Sequence, residues 1–252
     1  MPTLIDFKDV SKEINCPICG GKGYVYDENS VTYRQVSWYE DGVLHTEGIG
    51  SEIIVCKCER IKKIQRNLEK SGLLQEFQRH TFDTFETKKK HHKAMRDKAL
   101  NYLDKGDWIV FSGQYGSGKT HICDAICGQI VMQGKDFKYV PFVSLIPKLA
   151  LDRNNFHAEI KDKAEIQIER IKSVEYLYID DFLKTNPKID LIWEIIDTRY
   201  KNPNLKTIIS TEHFYDELKG IDGAFASRIF ERCKGWEYFI EIDRDNSKNE
   251  RE

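Results

Sequence analysis

The stretch FSGQYGSGKTHICDAI, residues 111–126, constrains this chain more than any other. An apolar run, WIVF, ends in Gly113-Gln114-Tyr115-Gly116-Ser117-Gly118-Lys119-Thr120, and a helical pattern opens directly after it. G-x-x-x-x-G-K-[ST] between a strand and a helix is a phosphate-binding loop. Its glycines let main-chain amides converge on phosphate oxygens, and the helix that follows presents its positive end to them. The cradle is therefore Gly113 to Thr120 together with His121, which closes the motif. Lys119 is expected to reach the β and γ phosphates of ATP and the Thr120 hydroxyl to bind Mg²⁺.

Such a loop demands a parallel sheet, and the rest of the chain supplies one. From Gly106 onward the apolar segments WIVFS, FKYVPFV, VEYLYID, KTIIST and YFIEID alternate with helical stretches. That rhythm predicts an α/β fold with helices flanking a parallel sheet. VEYLYIDD ends an apolar strand in two acids, so Asp180 is the expected Mg²⁺-linked carboxylate and Asp181 the candidate to polarise the attacking water. Asp181 is also placed to cap a helix. In GAFASRIFERC, residues 223–233, Arg228 and Arg232 stand four apart on a short helix and read, by spacing alone, as a solvated surface pair.

The amino-terminal third is different. CPICGGKGY and VCKCER set Cys16, Cys19, Cys56 and Cys58 at the two ends of a segment of short alternating runs. Asp41–Gly42 there is a two-residue hairpin signal. No apolar run approaches the roughly 20 residues of a membrane span, and MPTLIDFKDV lacks the marks of a signal peptide. The expected setting is cytoplasmic, so the seven cysteines should be thiols or metal ligands. Four thiolates make a closed tetrahedral Zn²⁺ site able to hold together a module without its own core. His45 reads either as a substitute ligand or as a structural residue of a strand. The C-x-C pair requires the chain to bend, because adjacent strand positions point to opposite faces. Cys123 and Cys127, one turn apart after the phosphate loop, read as small core residues.

Between these zones, residues 59–105 turn helical and basic, with Ile61, Ile64, Leu68 and Leu73 near helical spacing and Gly72 as a stop. KKKHHK, 88–93, reads as a DNA-facing run or a solvated helix entry. The net charge of −2 gives no global attraction to nucleic acid, so any such contact needs a local patch. In the helical pair at 144–172, Lys148, Arg153 and Lys161 are candidates for phosphate contacts and Phe156 for stacking on a base. The same pair also reads as amphipathic helices with a solvated face.

Taken in order, GQYGSGKTH, YLYIDDFLKT, IISTEHFYDEL and AFASRIFERC, with the lead-in FQRHTFDTFET at 77–87, resemble AAA+ ATPases of the replicative helicase-loader type, the DnaC/DnaI group. The resemblance covers about residues 75–242 and implies an AAA+ sheet without a carboxy-terminal lid. It implies that Arg228 is a trans-acting finger, so that subunits self-associate through the ATP site. It implies that a replicative hexameric helicase and single-stranded DNA are partners. The usual sensor Asn falls on Glu212, a departure, which leaves Thr211 or Glu212 to orient water, or hydrolysis slow. The expected domains are a zinc-binding, helicase-interacting module at 1–60, a basic helical linker at 61–90, the AAA+ domain at 91–245 and a polar tail at 246–252. The alternatives are an IstB-type transposition helper ATPase, a nucleotide-gated adaptor with little hydrolysis, and a small-molecule kinase, for which no acceptor-binding or lid arginines are evident.

Overall fold

The computed structural model describes residues 16–31, 35–40, 43–48, 51–56, 58–59, 62–63, 66–68, 73–185 and 189–244. Its centre is a five-stranded parallel sheet built from β5 (Trp108–Gly113), β6 (Phe137–Pro141), β7 (Tyr176–Phe182), β8 (Lys206–Thr211) and β9 (Phe239–Ile242), in the order β6-β7-β8-β5-β9. The five apolar segments of the sequence are these five strands. Parallel strands need crossovers, and helices supply them: α3 (Lys119–Met132), α4 (Phe142–Asp152), α5 (Ala158–Ser173), α6 (Ile189–Tyr200), α7 (Tyr215–Ile221) and α8 (Gly223–Arg232). FKYVPFV divides at Pro141, where β6 stops and Phe142 opens α4. Proline donates no ladder hydrogen bond and suits a helix entry.

Helix α3 is apolar around most of its circumference because it is covered on both sides. Cys123, Ile126 and Cys127 are wholly buried, as their reading as core residues requires. The outer cover comes from α1 (Leu73–Arg79) and α2 (Lys90–Lys105). Leu68, Phe77, Phe82 and Phe85 join the same hydrophobic core as the central strands. The packing thus runs across the boundary expected at residue 91, and the 73–89 lead-in is part of the ATPase core. In KKKHHK, His92 is 1% exposed and its ring meets Phe85 edge-on, so that residue does not belong to a solvated entry.

Two arginines lock the amino-terminal ends of the strands. Arg199, wholly buried, donates to the carbonyls of Ile171, Lys172, Val174 and Lys206 and to the Thr207 hydroxyl. Burial brings its pKa down to about 9. Arg232 donates to the carbonyls of Arg199, Tyr200, Asn202 and Leu205 and pairs with Asp107 at 2.5 Å. The solvated Arg228–Arg232 pair suggested by spacing is therefore corrected. Arg232 turns inward to satisfy loop carbonyls that no ladder reaches.

In the amino-terminal region β1 (Tyr24–Val31) pairs with β4 (Ser51–Val55), and β2 (Gln35–Glu40) with β3 (Val43–Gly48), both antiparallel. Glu40 stands opposite Val43, on either side of Asp41–Gly42. Asp41, Gly42, Ile61, Ile64, Gly72, the His45 side chain and the 246–252 tail lie outside what is described. No helix among the described residues is long and apolar enough to cross a membrane.

Candidate functional site

The carboxyl ends of β5, β7 and β8 lie side by side and carry the predicted site. Gly113 has φ 150°, and a Cβ there would stand 2.8 Å from the Ile242 carbonyl oxygen. Gly118 has φ 85°, with the Phe85 ring 3.2 Å from where a Cβ would be. Both positions demand glycine, for conformation and for space. Gly118 precedes α3 and no side chain caps that end, which leaves the first helical amides available to an anion. Ser117 donates to the Gln114 carbonyl at 2.8 Å and shapes the loop, Gly116 turns it at φ 70°, and Tyr115 is exposed.

Lys119 is buried and donates to the carbonyls of Gly113 at 2.8 Å and Gln114 at 2.6 Å. Burial lowers its pKa, while the charges of Glu212 and Asp181 oppose that shift. Thr120 is exposed at the start of α3. His121 departs from its expected place in the cradle: its Nε2 lies 3.1 Å from the Thr84 hydroxyl and 3.2 Å from the Thr81 carbonyl. Its ring faces His80 at 4.7 Å. It fastens the loop helix to the lead-in segment.

Asp180 is surrounded by hydroxyl donors: Tyr178 at 2.8 Å, Ser210 at 2.5 Å and Tyr139 at 3.2 Å. Asp181 has φ 53° and its amide donates to Ser210 at 3.0 Å. It stands in β7, with α6 starting only at Ile189, so it is no helix cap. Leu183 also takes a positive φ, 61°. Two non-glycine residues in that region mark stored strain, of order 1–3 kcal/mol each, in the segment that aims the acids. Lys184 bridges Asp181 at 3.1 Å and Glu212 at 3.2 Å. Thr211 is wholly buried; it donates to the Phe182 carbonyl at 2.8 Å and accepts from the His213 amide at 3.1 Å. Both of its hydrogen-bonding roles are taken, whereas the Glu212 carboxylate reaches Lys184 beside the site.

Arg228 lies against its own subunit's α6, 4.3 Å from the Trp193 ring centroid and 3.5 Å from Asp197. Of the DNA candidates, Lys148, Phe156 and Lys161 are exposed, Phe156 completely. Arg153 is instead clamped between Glu165 at 2.8 Å and Glu194 at 2.5 Å. Its guanidinium ties the α4–α5 turn to α6 and is not free for a phosphate.

Sequence reasoning missed Tyr139, Tyr178, Lys184, Ser210 and the His80–Asp124 pair. Lys184, three residues after Asp181, and Tyr178, two before Asp180 on the same strand, carried a local signal; Tyr139 and Ser210 meet the site through sheet register, and His80 meets Asp124 through the packing of the lead-in on α3. His80 Nδ1 lies 2.6 Å from Asp124, which is buried in α3. Burial drives the Asp124 pKa up to about 6, against the hydrogen bond and charge of His80.

The four cysteine sulfurs converge. All are buried and lie within 4.8 Å of one another, with Cys16–Cys56 at 3.7 Å and Cys19–Cys58 at 3.3 Å. Thiolates about 2.3 Å from one Zn²⁺ stand roughly 3.8 Å apart in a tetrahedron. The Gly23 amide donates to Cys19 Sγ at 3.3 Å, and the described core here is the cysteines with Val25 alone. Strand β4 stops at Val55 and a helical turn carries Cys58, which is the bend that C-x-C requires. The donor set fits zinc.

A family model described as "IstB-like ATP binding protein" matches residues 52–248. Uncharacterized protein YqaM of Bacillus subtilis is 28% identical over 92% of this chain and 84% of its own length. Replicative helicase loader DnaC of Escherichia coli K12 is 24% identical over 69% of this chain and 71% of its own. Among solved structures, the crystal structure of DnaI superposes with a TM-score of 0.54 at 18% identity, covering 67% of this chain and 93% of that one.

Proposed function

The chain belongs to the IstB-like ATP-binding protein family, and from that premise we propose that it is an ATP-dependent loader that binds a replicative DNA helicase and delivers it onto single-stranded DNA during replication initiation. The observation that carries this reading is the alignment of most of the chain with proteins named replicative helicase loader DnaC. The site supplies the chemistry: amides of the 113–121 loop and Lys119 take the phosphates, and Thr120 and Asp180 hold Mg²⁺. Asp181 or Glu212 orients the water. Arg228 leaves its place on Trp193 to reach the γ-phosphate of an adjacent subunit, so that ATP is sensed across a self-associated interface. Zn²⁺ on Cys16, Cys19, Cys56 and Cys58 shapes the 1–60 module that grips the helicase. Lys148, Lys161 and Phe156 face the DNA strand. Hydrolysis removes the γ-phosphate and shifts the population toward release.

One observation favours slow turnover and the adaptor reading. Asp181 and Glu212 share Lys184, which neutralises the two groups best placed to polarise water. Mixing the protein with its cognate helicase should give a complex whose recovery on size exclusion changes with ATP. Failure to co-elute in any nucleotide state defeats the loader, and binding to a transposase in its place selects the IstB-type helper. Steady-state phosphate release, with Arg228→Ala for comparison, separates a working ATPase from an adaptor.

A further inference from the structure

Strand β6 ends the sheet, and among the described residues nothing pairs with its outer side. The Asp136 carbonyl accepts from the Tyr176 amide at 2.9 Å. By the alternation of a parallel ladder, Lys138 and Val140 then turn their main-chain groups to β7, and Phe137 and Tyr139 turn theirs outward. A cavity of about 650 Å³ lies along this edge, bounded by Lys63, Leu68, Leu73, Lys138, Tyr139 and Arg170.

The charge at the cavity is uneven. Its lining carries three cations, Lys63, Lys138 and Arg170, against the single carboxylate of Asp136. Arg170 takes that carboxylate with both terminal nitrogens. Lys138 is left half-buried with no described carboxylate within ion-pairing reach. Burial, and then the neighbouring Arg170 charge, lower its pKa. Leu68, Leu73, Phe137 and Leu145 line the same cavity. An edge that no described strand covers, apolar walls and surplus positive charge specify one kind of occupant.

We propose that the groove along β6 receives an extended segment of a partner protein in which acidic and apolar residues alternate. The segment adds to the sheet as a sixth strand, with its main chain on Phe137 and Tyr139 and its carboxylates at Lys138 and Lys63. A small anion would not use the strand edge, and a basic segment would meet like charge. The site is distinct from the phosphate loop yet touches it, because the Tyr139 hydroxyl donates to Asp180 at 3.2 Å. A strand docked here is one side chain away from the metal-binding acid.

The test uses the full chain and fluorescein-labelled octapeptides: alternating Glu-Val, alternating Lys-Val, and Glu-Val with alternate amides N-methylated. Fluorescence anisotropy should show the Glu-Val peptide binding at least about tenfold tighter than either of the others. Lys138→Glu should abolish that preference, and Lys63→Glu, at an exposed position, should weaken it in a protein whose packing is undisturbed. Hydrogen exchange should slow at the Phe137 and Tyr139 amides when the Glu-Val peptide is bound. Equal affinity for the acidic and basic peptides, unimpaired binding of the N-methylated peptide, absence of saturable binding, or protection confined to other strands would each overturn the proposal.

Discussion

Asp124→Asn removes a buried charge while leaving an acceptor for His80, and it should change how stability depends on pH. Asp124 is 4% exposed, and burial lifts its pKa from 3.8 to about 6. The His80 pKa is raised too, first by the hydrogen bond its Nδ1 donates to the Asp124 carboxylate. Both folded-state values lie above their unfolded ones, so the folded protein binds more protons than the unfolded chain from about pH 4 up through the raised His80 value. Stability must then fall as pH rises through that window. For Asp124 the loss is complete above its folded pKa and amounts to about 3 kcal/mol. The His80 contribution is present below 6.5 and is lost as pH rises through its raised value. Urea unfolding followed by circular dichroism, from about pH 4 to 8 in half-unit steps, gives the two curves. The wild-type curve should descend relative to Asp124→Asn by about 3 kcal/mol, and subtraction removes the titrations common to both. His80→Ala should steepen the descent, because Asp124 then loses the partner that holds its pKa down. Parallel curves for wild type and Asp124→Asn would refute the reasoning.

Lys119→Ala should lower ATP turnover by about 10²–10³-fold, with the fold retained in far-ultraviolet circular dichroism. Arg199→Met orphans four carbonyls and the Thr207 hydroxyl; a cost above about 3 kcal/mol should lower the melting temperature by about 6–12 °C. One zinc per chain is expected by elemental analysis, and Cys58→Ser or a strong chelator should unfold the amino-terminal module while nucleotide binding persists. Arg153→Ala should reduce stability with little effect on single-stranded DNA affinity, whereas Lys148→Ala with Lys161→Ala should weaken DNA binding and flatten its salt dependence.

What could be read in the sequence was whatever is local. The phosphate loop, the strand ending in Asp180 and the five apolar segments each announce themselves within ten residues or so, because strand period, glycine demand and helix entry are short-range properties. The cysteine quartet was legible because ligand chemistry is independent of fold. What escaped depends on register and burial. Nothing near Tyr139 marks it as a partner of Asp180; the two meet because β6 pairs with β7. Arg232 was misread for the same reason, since an i,i+4 rule says nothing about carbonyls that another part of the chain leaves unpaired. Arg153 sits in a segment rich in both signs of charge, and only the packing of α4 and α5 on α6 decides which carboxylates it meets. The lead-in looked like a linker because its aromatic residues, Phe77, Phe82 and Phe85, are spread among charged ones, and their shared burial appears only when α3 is placed beneath them.

The ammonium of Lys119, anchored to two peptide oxygens of its own loop, has a consequence for how fuel is taken up. The loop carries its own cation, held by the carbonyls of Gly113 and Gln114. Arrival of the nucleotide is then a trade of one set of oxygens for another. Folding thereby meets part of the ordering cost of binding.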